Sequence, residues 1–253
     1  GAYLAARIAE TENDFRAAAG WYGKAILANS GNPQLLDGAI LAEIGIGDFA
    51  LATEVARLRK ALDGEVSQLA ELALFADEAK REDYAALLAG AEGGRDLGDL
   101  ANSLVVAWAK VGAGKMSEAL DDFDALTKKK GFEAFGYYHK ALALASVGDF
   151  EGADAILSGK AAGPITVMRR GVFAHAQILS QLERNADAIA LLDKAFGTAT
   201  DPVVDPIRRR LQAGEPIPFD IVTSARDGIA EVAVEDGCKA ADYLARLGKL
   251  LAL

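Results

Sequence analysis

Small, apolar and polar residues alternate along this chain in a pattern that predicts repeated pairs of amphipathic helices. In the first pair, segments 3–10 and 15–28 each carry small or apolar residues at spacings of three and four, which places them on one helix face. The second helix of each of six successive pairs contains an equivalent residue, called its anchor here: Ala18, Ala52, Leu87, Ala119, Ala153 and Ala188. Successive anchors are 34, 35, 32, 34 and 35 residues apart. A fixed period in this range predicts an array of two-helix units.

A short polar turn precedes each second helix. Asp48, Asp83 and Asp149 stand four residues before their anchors, and an Asp at such a position caps the first backbone N–H groups of a helix. After the anchor, a larger residue follows at the fourth position and a small or apolar residue three positions later, as in Ala18, Tyr22 and Ala25. The small anchor lets two helices approach closely, and the larger residue fills the space between them.

This pattern resembles the tetratricopeptide repeat (TPR) family. The matching residues are a small residue in the first helix (Ala6, Ala107, Ala141, Ala176), Gly in the turn (Gly47, Gly114, Gly148), an aromatic residue that opens the second helix (Phe15, Phe49, Tyr84, Phe150) and a later aromatic residue (Tyr22, Phe123). The resemblance covers residues 1 to about 197, with departures at Ile40, Phe75, Arg59 and Gly94. It implies an all-α fold, a right-handed α-solenoid or superhelix of antiparallel TPR-like hairpins around one continuous core. Another helical-hairpin repeat of the same length class is the alternative.

Beyond these six repeats (1–197) the period stops. Four of the six prolines fall in segment 198–218, which predicts an insertion with one short helix over 207–212. Segment 219–253 predicts a seventh hairpin that is apolar to its last residue. An array normally ends in a polar helix face, so the hairpin either continues into further repeats, which we favour, or docks on a partner or a second copy. Leu244, Leu247 and Leu251 are the residues expected to serve that continuation or self-association.

Charge and composition narrow the possible partners. The chain has 253 residues and a formal net charge of −10, which argues against nucleic-acid binding through clustered Lys and Arg. Its one cysteine, Cys238, cannot form an internal disulfide, and no run of 18 apolar residues predicts a transmembrane helix. The sequence does not begin with Met, which suggests a processed or trimmed N-terminus. The overall look of the sequence, rather than any motif, favours an exported, periplasmic bacterial protein whose signal peptide has been removed. A cytoplasmic protein is the alternative.

Enzyme chemistry is not indicated by the residues. The run 112–117 (Gly-Ala-Gly-Lys-Met-Ser) lacks the first glycine of a phosphate-binding loop and has Met where Ser or Thr must follow the lysine. His139 and His175 have no acidic or cysteine neighbours at helical spacing, so we expect no metal site. We predict a protein that is not an enzyme and carries no cofactor.

The resemblance also implies where a partner would bind, because the first helix of each TPR pair lines the concave face. The residues it places there are Leu104, Trp108, Phe135, Tyr138, His139, Arg170, Phe173 and Gln177. Aromatic residues beside an arginine and a glutamine suit a groove for a peptide or helix. These positions lack the Lys/Asn clamp with which family members bind a C-terminal carboxylate.

The resulting hypothesis is a scaffold or adaptor that binds a protein segment. Three alternatives stay open: a structural subunit, such as a homodimer formed through the C-terminal hairpin; a regulatory module of a larger assembly; and a binder of a small molecule or glycan around Trp108. The identity of the partner and the cellular pathway are not readable from the sequence.

Overall fold

A computed structural model describes residues 1–62 and 67–220, and all of the secondary structure in these residues is helical. The predicted all-α class is therefore confirmed. The helices are α1 (Ala2–Thr11), α2 (Phe15–Ala28), α3 (Pro33–Ile46), α4 (Phe49–Lys60), α5 (Gln68–Lys80), α6 (Tyr84–Glu92), α7 (Asp99–Gly112), α8 (Met116–Thr127), α9 (Glu133–Ser146), α10 (Phe150–Leu157), α11 (Arg169–Gln181), α12 (Asn185–Phe196) and α13 (Val204–Gln212).

Helices α1 to α12 form six consecutive pairs, each joined by a turn of two or three residues. The anchors all lie in the second helix of a pair and are all buried, which confirms the spacing that predicted them. Because an alanine anchor has only a methyl side chain, the first helix can pack directly against the backbone of the second. The described helices span no membrane, since none of them is long and apolar enough to cross one.

The turn inside each pair needs one residue with a positive φ angle. Gly47, Gly114 and Gly148 supply it in three pairs, at φ of 81°, 76° and 87°. The other three pairs use residues with side chains, Asn13, Glu82 and Glu183, at φ between 55° and 59°. Glycine reaches this region without strain, whereas other residues enter it at a cost. The backbone of the turn is thus conserved among the six pairs although its residue type is not.

The predicted helix caps are present. The carboxylates of Asp48, Asp83 and Asp149 accept the backbone N–H three residues ahead, at 3.0, 3.1 and 2.9 Å. Asp14 does the same for α2 at 3.0 Å. The equivalent residue before α8 is Lys115, which makes no capping hydrogen bond.

Lys115 therefore marks a site where stability can be increased. Its backbone angles, φ −94° and ψ 53°, are close to the −80° and 71° of the capping Asp149. We expect Lys115→Asp to raise the free energy of unfolding by about 1 kcal/mol, because the new carboxylate caps α8 and its charge complements the helix dipole. Urea unfolding measures the change. Lys115→Ala, which removes the lysine without adding an acceptor, is the control; an equal gain in both variants would contradict the capping explanation.

The described chain divides into two compact units, one made of residues 1–62 and 67–102 and the other of residues 103–220. The segment before the division, α6 and the residues after it, contains few buried side chains. Helix α6 has nine residues, of which only Leu87 is buried, and Gly90, Gly93, Gly94 and Gly98 lie in or after it.

In the proline-rich segment the short helix begins earlier than predicted, at Val204 instead of residue 207. Pro206 is its third residue, and a proline is tolerated in the first turn because its missing N–H has no acceptor within the helix. Residues 215–220 then follow without helix or strand. Residues 221–253, which contain most of the predicted seventh hairpin, lie outside the described part of the chain.

Candidate partner-binding site

Five of the eight residues predicted to bind a partner lie in the interior of the second unit. Their side chains belong to the buried core: Leu104, Trp108, His139, Phe173 and Gln177. The other three reach the surface, with Phe135 42% exposed and Tyr138 and Arg170 partly exposed. The surface available to a partner is thus smaller than the predicted groove, because the register that places a side chain on a first helix does not say how deeply its neighbours cover it. A role for any of the eight in partner binding stays a prediction.

Two of the buried members, Trp108 and His139, pack with Phe123 and so join α7, α8 and α9. The Trp108 Nε1–H donates a hydrogen bond of 3.0 Å to His139 Nδ1. The Trp108 ring packs edge-on against Phe123 with centroids 5.7 Å apart, and His139 stacks on Phe123 at 6.4 Å. Such aromatic pairs are worth about 0.5–1.5 kcal/mol each beyond the area they bury. The cluster of Trp108, Phe123 and His139 therefore stabilises the packing of these helices.

The hydrogen bond from Trp108 also defines the protonation state of His139. Its Nδ1 must carry a lone pair to accept the Trp108 proton, so the ring is neutral. Burial and, second, the nearby Arg170 guanidinium lower the pKa of His139 from 6.5 to about 4. Protonation would place a charge in the core and remove the acceptor that Trp108 uses.

We therefore expect the stability of the second unit to fall as the pH is lowered from about 6.5 to about 4. In this window the unfolded chain binds a proton at residue 139 that the folded chain excludes. Complete titration of this residue would lower the free energy of unfolding by about 3 kcal/mol. His139→Gln keeps an acceptor for Trp108 but does not titrate. Urea unfolding between pH 4 and pH 8 should give a smaller pH dependence for this variant than for the wild type. Identical pH profiles would contradict the assignment.

The exposed members form a small surface that we call the Tyr138 surface, made of Phe135, Tyr138 and Arg170. Phe135 and Tyr138 are three residues apart on α9 and share a face. Tyr138 reaches α11 because Gly171 has no side chain: a Cβ atom there would lie 3.0 Å from the Tyr138 ring. Burial raises the pKa of Tyr138, and the positive charge of the nearby Arg170 guanidinium partly offsets that rise. The Tyr138 surface thus offers two aromatic rings and a cation on rigid helices.

Arg169 and Arg170 are adjacent in the chain but differ in their ion pairing. Arg169 pairs with Asp201 at 3.2 Å and lies over the Phe196 ring, 4.2 Å from its centroid. No carboxylate among the described residues forms an ion pair with Arg170. A guanidinium in this position can donate two parallel hydrogen bonds to a carboxylate supplied from outside the chain.

Sequence reasoning missed a buried polar cluster in the second unit, centred on Asp154. Its carboxylate contacts His175 Nε2 at 2.8 Å, Arg184 at 2.7 Å and Lys160 at 3.4 Å. Burial raises the pKa of Asp154, but the hydrogen bonds from His175 and Arg184 outweigh it, so the pKa of this carboxyl lies below its ordinary value. His175 lies 21 residues from Asp154 in the chain, and only the packing of α10 against α11 brings them together. No spacing rule along one helix could find this pair.

Metal binding has no support from side-chain geometry. In residues 1–62 and 67–220, no group of three or more His, Cys, Asp or Glu side chains is arranged to hold an ion. The leucines expected to mediate self-association or continuation of the array, Leu244, Leu247 and Leu251, lie outside the described residues, so this expectation stays a prediction.

No protein-family model matches the sequence, and no curated protein matches it either. The resemblance to the TPR family therefore stays a prediction from the repeat spacing.

Proposed function

We propose that this chain is a non-catalytic scaffold or adaptor that binds a segment of a partner protein. In this proposal its helix pairs are TPR-like and belong to a right-handed superhelix. The observation that carries the proposal is the Tyr138 surface, where an exposed phenylalanine, a tyrosine and an arginine lie together on α9 and α11. Aromatic residues and arginine are the types most enriched where proteins bind one another.

The chemistry of this surface specifies the partner segment. Phe135 and Tyr138 would bury an apolar or aromatic side chain, and Arg170 would pair with an Asp or Glu a few residues away. Both contacts come from helices, so the surface needs little ordering when a ligand arrives. The expected ligand is a short acidic and apolar peptide.

Selection from a random peptide library on the immobilised chain tests this proposal. We expect the selected peptides to combine apolar residues with Asp or Glu. Titration of one such peptide should show that Tyr138→Ser and Arg170→Ala each weaken binding by about tenfold or more, as loss of a central contact does. Val147→Ser is the matched control, since Val147 is 61% exposed at the other end of α9 and should matter less than twofold. Peptides that bind the Tyr138 and Arg170 variants as tightly as the wild type would contradict the proposal.

A further inference from the structure

Residues 215–220 form a segment without helix or strand, called the strap here, that lies on the second unit after α13. Most of the strap is exposed, but Ile217 is only 6% exposed and belongs to the same buried cluster as Leu179, Leu192 and Leu211. Phe219 is half-buried, and its ring meets Phe150 edge-on with centroids 6.2 Å apart. The strap is therefore held by two side chains, two residues apart, in the manner of a bound peptide.

The backbone of the strap is held by side chains of α11 and α13. Ile217 N–H donates to Ser180 Oγ at 2.9 Å, and Gln181 Nε2 donates to the Ile217 carbonyl at 2.7 Å. Arg210 donates to the Pro216 carbonyl at 3.0 Å. In the strap, only main-chain groups take part in these three hydrogen bonds. The same hydrogen bonds would therefore fit any extended segment that places an aliphatic side chain in the Ile217 pocket.

The two prolines of the strap suit this arrangement. Pro216 and Pro218 flank Ile217 and have no N–H groups, so the one amide between them is the one that Ser180 accepts. Prolines also favour an extended backbone before binding, which reduces the ordering that binding requires.

Ser180 and Gln181 are not required by the helix-pair architecture. The repeat spacing gives their equivalents in the other five first helices, and none of these is a hydroxyl residue followed by a carboxamide: Glu10-Thr11, Ile44-Gly45, Ala79-Lys80, Val111-Gly112 and Ala145-Ser146. A buried hydroxyl costs stability unless it is hydrogen-bonded, so Ser180 is explained by the strap and not by helix packing.

We propose that the groove holding the strap is an exchangeable peptide-binding site. Its ligand is an extended partner segment with an aliphatic residue between two prolines and an aromatic residue two positions after it. The strap carries these same elements and occupies the groove until the partner displaces it. The inference does not depend on the function proposed above.

Hydrogen exchange on the wild-type chain tests whether the strap detaches. We expect the Ile217 amide to exchange by local opening, at least about 100-fold faster than the amides of Ala176 and Leu179 in the middle of α11. If the Ile217 amide exchanges only as slowly as those of α11, the strap is a permanent part of the fold and the proposal is wrong.

Titration with a labelled synthetic peptide of residues 214–220, acetylated and amidated at its ends, tests the groove itself. The Ile217→Asp variant of the full chain detaches the strap and should bind this peptide at least about tenfold more tightly than the wild type, whose groove is occupied. Adding Ser180→Ala or Gln181→Leu to that variant should weaken binding by about tenfold, and a peptide with Asp in place of its isoleucine should not bind. Circular dichroism shows whether each variant is folded, and the exchange experiment decides alone if Ile217→Asp is not.

Two outcomes of the titration would overturn the inference. One is a folded Ile217→Asp variant that does not bind the peptide, or binds it equally well without Ser180. The other is a wild-type chain that forms a dimer lost on Ile217→Asp, because the groove would then exchange straps between two copies instead of receiving a partner.

Discussion

Replacing Arg95 with methionine is expected to lower the free energy of unfolding by about 3–5 kcal/mol. The Arg95 side chain is only 4% exposed and lies between two carboxylates of α5, with Nε 2.9 Å from Glu71 and a terminal nitrogen 2.7 Å from Glu78. Methionine keeps most of the volume but removes all five donors. Two largely buried carboxylates then lose a shared cation, and Glu71 retains only Lys60. Urea unfolding measures the loss, and hydrogen exchange should place it in α5 and α6.

Two further variants test whether burial of the ion pairs causes the large loss of stability expected for Arg95→Met. Arg57 makes an ion pair of similar length with Asp77, at 3.1 Å, but its side chain is 58% exposed. Arg57→Met should therefore cost less than about 1 kcal/mol, as exposed ion pairs do. Glu71→Leu and Glu78→Leu added to Arg95→Met should recover much of the stability, because an apolar triad leaves no buried charge. Equal losses for Arg57→Met and Arg95→Met would contradict the role given to burial.

The same carboxylates give this region a pH dependence. Burial raises the pKa of Glu71, but hydrogen bonds from Lys60 and Arg95 outweigh it and hold the pKa below its ordinary value. Glu71 therefore contributes stability above the pKa that it has in the unfolded chain, and this contribution is lost as the pH falls through its folded pKa. The Arg95 effect should accordingly shrink in acid.

The second large effect is expected at Gly38, where α3 meets α2. A Cβ atom at this position would lie 2.4 Å from the Tyr22 ring and hydroxyl, closer than atoms can approach. Tyr22 is fully buried and its hydroxyl donates to Glu10, so the ring has little freedom to move. Gly38→Ala should therefore destabilise the first unit by about 1–3 kcal/mol, although alanine favours helices more than glycine does.

Gly23 is the matched control for this prediction. It lies within α2, and a Cβ atom there would meet nothing within 4 Å. Gly23→Ala should stabilise the chain by about 0.5–1 kcal/mol through helix propensity alone. Thermal unfolding of both variants gives the comparison, and two changes of the same sign would contradict the packing of Tyr22 on Gly38.

The helix pairs could be predicted from the sequence because their determinants are local and repeated. The anchor at Ala18 and the cap at Asp48 each act within a few residues, and six copies of one pattern reinforce each other. The predicted start of α13 is wrong because Pro206 lies inside the first turn of the helix instead of before it.

The candidate sites were harder to predict because they depend on burial and on contacts between distant residues. The sequence correctly places Trp108 and His139 on the first helices of their pairs. How deeply these side chains are buried depends on Phe123, which lies on another helix. Ser180 and Ile217 are 37 residues apart and meet only because the chain returns over α11 after α13. A side chain that contacts the backbone of a distant residue leaves no pattern in the sequence near either of them.

Binding of a partner segment at the Tyr138 surface is tested most directly by a hydrogen-exchange footprint of the chain with a selected peptide. We expect protection by the peptide on α9 around Phe135 to His139 and at the start of α11 around Arg170, and no added protection in residues 1–62. Protection confined to the first unit, or unchanged protection when Tyr138→Ser is tested with the same peptide, would contradict the account.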